Sequence, residues 1–228
     1  MVEVVIVVGK YIDISPVISH QTAVFPGDKA FSRHVVMDMV RGDHLTLSDI
    51  ATTVHIGAHV DAPNHYARDG VGIDARPLDL YVGSCQVIRV SFDGRHGRAK
   101  SNEDLRIRPG DLRGEKITAP RVLFATDTFP DPNKWRDDFA ALSPELVDDL
   151  ADRGVRLIGI DTPSIDPSDS KALESHNAVA KRDMAILEGI VLTHVEPGLY
   201  TLIALPLRLQ GVDASPVRAV LWTSTFPT

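Results

Sequence analysis

Residues 55–66 read HIGAHVDAPNHY, and their alternation restricts the backbone that can carry them. In an extended chain successive side chains point to opposite faces. His55, Gly57, His59, Asp61, Pro63 and His65 then fall on one side, and Val54, Ile56, Ala58, Val60 and Ala62 on the other. One face carries chemistry and the other belongs in a core. A helix could bring His55 and His59 together but would throw Asp61 off that face, and the Gly, Pro and β-branched content opposes helix. A flat strand rises about 3.3 Å per residue, so it would hold the Cα atoms of His55 and His59 roughly 13 Å apart, near or beyond the reach of two imidazoles on one ion. The strand must therefore bend, and Gly57 is where it can. Pro63 ends sheet pairing, which sends His65 onto a loop over the site.

A lone histidine is usually a solvated or hydrogen-bonded polar residue, but three in phase with an aspartate point to a metal. Imidazole and carboxylate without thiolate suit zinc, and also manganese or iron, in a site that performs chemistry. Two downstream residues are candidates to complete it. Glu188, in MAILEGIVL, sits among Ile186, Leu187, Ile190 and Val191, where a buried carboxylate needs a cationic partner. His176, in KALESHNAV, is the weaker candidate, near the start of a helix.

The rest of the chain supplies short apolar runs rich in β-branched residues: YIDIS, HVVMDMV, SDIATTVHIGAHVDA, SCQVIRVSF, RVLFATDTF, VRLIGIDTPSID, ILEGIVL, YTLIALPLRL and PVRAVLW. These read as strands. The best helix is SPELVDDLADRG, with Ser143 as cap, Pro144 and Glu145 in the first turn and Gly154 beyond the end. SNEDLRI and a segment from about 170 to 181 are further helix candidates. No repeat or long linker interrupts 228 residues, so the expectation is one α/β or α+β domain over 1–228 with a mixed sheet. A formal charge of -7, mixed along the chain, argues against nucleic-acid and anionic-membrane surfaces and for a small-molecule or cationic partner. The single cysteine, Cys85, excludes an intrachain disulfide and fits a reducing cytoplasm. The Val-rich opening MVEVVIVVGK has too short an apolar run for a signal peptide or a membrane span.

Together with FPGD at 25–28, PLDLYVGSCQVI, GIDTPSIDPSDSKALESH, MAILEGIVL and LIALPLRLQGVDASPVRAVL, the 55–66 motif resembles the bacterial kynurenine formamidases. These are arylformamidases of tryptophan breakdown, within the metal-dependent cyclase family. The resemblance runs over nearly the whole chain. It implies a barrel-like sheet core with flanking helices, a homodimer, and two zinc ions per subunit, with manganese or another divalent ion as alternatives. His55, His59 and Asp61 would hold one ion and Asp61, His176 and Glu188 the other, with Asp61 and Glu188 shared between both. His65 matches the proton-transfer residue and Phe25 a substrate-contacting aromatic. The implied reaction is hydrolysis of N-formyl-L-kynurenine to kynurenine and formate by a metal-bridging hydroxide. A cyclic-amide hydrolase acting on isatin, or a non-catalytic metal-binding module, are the alternatives. Ala58 stands where many relatives carry Thr, Phe25 where the formamidase branch often has Trp, and ESHNAV where DAH is more usual. Asp161 and Ser164, where VRLIGI emerges, are candidates for support of the site or for substrate contact.

Overall fold

The computed structural model describes residues 9–92, 99, 101–112 and 114–223, so the Val-rich stretch 1–8 lies outside the described residues. Nine strands form one mixed sheet. In sequence they are β1 (Tyr11–Asp13), β4 (His59–Asp61), β5 (Val82–Arg89), β7 (Arg121–Ala125), β9 (Leu157–Ile160), β10 (Ala185–Glu188), β11 (Gly198–Ile203), β12 (Ala214–Pro216) and β13 (Val220–Trp222). Their spatial order is β1-β13-β11-β5-β7-β9-β10-β4-β12. The pairs β5–β7, β7–β9 and β9–β10 are parallel and the remaining pairs antiparallel. The sheet curls into a half-barrel. A separate hairpin, β2 (Ser32–Met37) with β3 (Leu47–Ala51), and a short parallel pair, β6 (Arg106–Ile107) with β8 (Ala141–Leu142), stand outside it.

Period-two alternation divides the central strands between two cores. Val122, Phe124, Ile158, Ile160 and Ile186 face the helices, α1 (Pro144–Asp152) and α2 (Glu174–Lys181), and pack with Leu146, Val147, Leu150 and Val179. Leu123, Leu157 and Leu187 point the other way, into the concave core with Ala58, Val60 and Ala62. Burial on both faces explains why VLFA and LIGI read as unbroken apolar runs.

Helix α1 follows its local signals: Ser143 Oγ accepts from Leu146 N at 3.2 Å, and Gly154 takes φ +85 just past the end. SNEDLRI forms a 3-10 turn over Asn102–Leu105, with the reciprocal Ser101/Asp104 cap in place. Helix α2 begins at Glu174, later than the segment from 170, because Leu173 adopts a left-handed conformation and offers no cap. Its free amides are instead satisfied by Asp166, whose carboxylate accepts from Ser175 N and His176 N at 3.0 Å each. Among the described residues no helix is long and apolar enough to cross a membrane.

Candidate metal centre

The 55–65 segment departs from a single kinked strand. Only His59–Asp61 pairs in the sheet, and residues 52–58 form an irregular connection from β3 in which Gly57 takes φ +55. The expected bend is therefore a break in the strand rather than a bulge within it. Side chains after Gly57 still segregate as the alternation requires: Ala58, Val60 and Ala62 enter the core that holds Leu187, while His59 and Asp61 turn to the opposite face. His65 closes a 3-10 turn begun by Pro63.

Register brings the distant ligand-type residues to this face. Strand β10 pairs antiparallel with β4 so that Glu188 lies opposite His59 and Ile186 opposite Asp61. Directly opposed residues share a face, and Ile186 belongs to the helix-covered core. His59, Asp61 and Glu188 therefore look toward α2, where His176 occupies the first turn. His176 and Glu188 are each only 2% exposed, so the helix imidazole is a core group and not a surface one.

Asp61 sits at the middle. Its Oδ1 is 3.1 Å from His55 Nδ1 and 3.5 Å from His59 Nε2, and its Oδ2 is 3.5 Å from His176 Nε2. Glu188 Oε2 is 3.3 Å from His59 Nε2, and Oε1 is 3.7 Å from His176 Nε2 while accepting from Ile165 N at 2.7 Å. Two ligands about 2.1 Å from a tetrahedral ion lie ~3.4 Å apart, so these separations match the edges of such a coordination shell. His59 Nε2 and both Asp61 oxygens are buried and make no hydrogen bond, the facing atoms being close but poorly angled. Buried charge without a partner is costly, and a cation at this point would satisfy all three atoms. The donor set and its spacing fit divalent metal.

Each imidazole of the cluster is aimed by a bond at its other nitrogen. His59 Nδ1 donates to the Gly57 carbonyl at 2.9 Å, His176 Nδ1 to Asp166 Oδ2 at 2.8 Å, and His55 Nε2 to Asp213 Oδ2 at 2.9 Å. The nitrogen left over in each case faces Asp61, or Asp61 and Glu188. Ser164 Oγ accepts from Asp166 N, and Arg106 Nη1 donates to Asp166 Oδ1, so Asp166 is itself held. Despite burial, the His176 side chain and the amides of residues 175 and 176 hold Asp166 at about 2. Burial likewise opposes charge on His55 and His176, yet the surrounding carboxylates push them up to about 9 and about 10. Asp61, though buried, is held well below the usual carboxylate range by the imidazoles of His176 and His55. Burial, by contrast, lowers His65, which is neutral by preference.

Gly189 secures the arrangement from behind. At φ +63 it lies so close that an added Cβ would fall 2.1 Å from the Gly57 oxygen, the acceptor that orients His59. Gly189→Ala should therefore cost about 1–3 kcal/mol in a thermal or denaturant melt and also weaken metal binding. A variant with parental stability and metal content would show that this close approach is dispensable.

Phe25 borders a small cavity beside the cluster, shared with His55, His59, Phe129, Trp135, Asp161 and Ile190. The Phe25 and Trp135 rings are 4.6 Å apart and tilted by 59°. Trp135 has no local mark in the sequence, since NKW carries no periodic signal. Asp161 lines the same cavity but is occupied as a staple, accepting from the backbone amides of Thr126 and Asp127 at 2.7 and 2.9 Å; burial pushes it up to about 6. Asp213 also went unmarked in the sequence.

Residues 12–167, about two thirds of the chain, match the Cyclase family model. This chain belongs to that family. The matched stretch holds His55, His59, Asp61 and His65, whereas His176, Glu188 and Asp213 lie beyond it. Among solved structures, the chain is similar to one described as a potential metal-dependent hydrolase with cyclase activity, at 26% identity and a TM-score of 0.79, covering 96% of this chain and 100% of that one. A predicted metal-dependent hydrolase from Bacillus stearothermophilus is similar at 26% identity and a TM-score of 0.77, with the same coverage. Isatin hydrolase A from Labrenzia aggregata shares the fold, with a TM-score of 0.77 over 95% of this chain and 94% of that chain at 21% identity.

Proposed function

We propose that this cyclase-family protein is a metal-dependent amide hydrolase whose substrate is an aryl formamide, N-formyl-L-kynurenine. The observation that carries the metal-dependent part is the set of unpartnered buried atoms, His59 Nε2 and both oxygens of Asp61, among imidazoles and a carboxylate at coordination-edge distances. Similarity to two solved proteins described as metal-dependent hydrolases supports it. The formamidase reading rests on the sequence blocks named above and on the aromatic wall of Phe25, Phe129 and Trp135 beside the cluster.

His55, His59 and Asp61 would hold one ion and Asp61, His176 and Glu188 a second, zinc being the reading the donor set favours. Bound there, such ions polarise an amide carbonyl and acidify water. The chain's own residues do the remaining work. His65, 33% exposed on its side chain, stands at the edge of the cluster with a ring nitrogen within 4.8 Å of ligand atoms of Asp61 and His176. It accepts a proton from the attacking water and returns it to the aryl nitrogen as the C–N bond breaks, releasing formate and the amine. Phe25 and Trp135 give the ring an apolar face.

Chelation should lower hydrolysis of N-formylkynurenine by more than about 100-fold, with zinc restoring it. Isatin, the cyclic amide of the fold relative, is the comparison substrate. Preference for isatin would replace the formamide assignment, and full activity in metal-free protein would remove the metal-dependent one. Phe25→Ala should raise KM about five-fold, from loss of ~1 kcal/mol of ring stacking, with a smaller change in kcat. An unchanged KM would place the substrate ring elsewhere.

A further inference from the structure

Asp213 precedes β12, in the segment QGVDASP, which reads locally as a turn. Its backbone is pinned beside the motif: Ala62 N donates to the Asp213 carbonyl at 2.8 Å, and Ala214 pairs with Asp61 in the sheet. Its Oδ2 is 2.9 Å from His55 Nε2 and 3.6 Å from His65 Nδ1. The two imidazole rings lie 4.2 Å apart, tilted by 40°. One carboxylate oxygen thus serves two rings that the function treats differently.

We propose that Asp213 is a positioning residue that holds His55, a metal ligand, and His65, the proton carrier, in a fixed relation to each other. This rests on the hydrolytic reading of the site given above. In the neutral ring that metal ligation requires, the bond at His55 Nε2 keeps the proton there and leaves Nδ1, on the Asp61 side, free to ligate. At 3.6 Å the approach to His65 is not a hydrogen bond. The carboxylate nevertheless draws the Nδ1 edge toward itself, and among the described residues no hydrogen bond holds the far nitrogen of the ring. No residue of the metal cluster is then needed to aim His65. Asp213 itself is 45% exposed on its side chain, so truncating it opens no buried cavity.

The test measures zinc affinity by competition with a chromophoric chelator, imidazole ¹⁵N shifts of the zinc-loaded protein, and formamide turnover. In Asp213→Ala, zinc should bind about 10–100-fold more weakly, as when the partner of a ligand imidazole is removed. The Nε2–H signature of His55 should be lost, and kcat should fall about 10–100-fold with KM within about two-fold. Asp213→Asn, which can still present an oxygen to His55, should recover most of the zinc affinity and guards against misfolding of the alanine variant. In a His65→Ala background, zinc-saturated, the kcat effect of Asp213→Ala should largely vanish, because it acts through that ring. Parental zinc affinity and an unchanged His55 spectrum in Asp213→Ala, or an undiminished kcat effect without His65, would overturn the proposal. Failure of the hydrolytic reading shows separately, as a zinc-loaded parent that cleaves no amide or a His65→Ala variant of full activity. In either case zinc affinity and the His55 spectrum still decide whether Asp213 holds its ligand.

Discussion

Asp61→Asn should strip the protein of most bound metal and reduce turnover about 10³-fold or more. The change is nearly isosteric, so its effect is electrostatic. Asp61 faces His55 and His59 with one oxygen and His176 with the other, and it is buried beneath all three. An amide there removes the negative charge that the cluster is built around and turns an NH2 group toward a nitrogen that should ligate. Metal analysis and kcat on the same sample decide the matter. Parental metal content would mean that Asp61 is a neighbour of the ions and not their bridge.

His65→Ala should behave differently: metal content and melting temperature near the parental values, with kcat lower by about 10²–10⁴-fold. The contrast follows from position. His65 is the most exposed imidazole of the group, on a 3-10 turn outside the ladder, so truncation leaves neither a buried cavity nor an unpaired charge. Burial keeps it neutral by preference, the form a proton acceptor needs. Loss of an ion in this variant would make His65 a ligand, and unchanged turnover would end its assignment as proton carrier.

Much of the site was legible because its signals are local. Alternation in HIGAHVDA is a property of any extended backbone, so His59 and Asp61 share a face wherever the strand is placed. Glu188 could be marked because a carboxylate amid Ile186, Leu187 and Ile190 must be buried and must find positive charge. Helix α1 declared itself through Ser143, Pro144 and Gly154, whose capping chemistry spans only a few residues. The continuation of β4 back through His55 was misleading for the same reason: periodicity persists across residues 52–58, but Gly57 at φ +55 breaks the ladder.

Asp213, Asp166 and Trp135 carried no comparable mark. Asp213 in QGVDASP and Asp166 in SIDPS look like turn residues, and each becomes an acceptor for an imidazole of the cluster only after folding, across 158 and 10 positions respectively. The cap of α2 lies upstream of its own N-terminus for the same reason, with Asp166 doing what Leu173 cannot. Sequence by itself determined which side chains alternate, which must be buried and which elements begin where, because those depend on backbone geometry and near neighbours. Tertiary structure alone decided that β10 lies between β9 and β4, that Glu188 meets His59, and that Asp213 reaches His55. Strand order and register are settled by the simultaneous packing of nine strands and two helices, and no local stretch of chain contains that information.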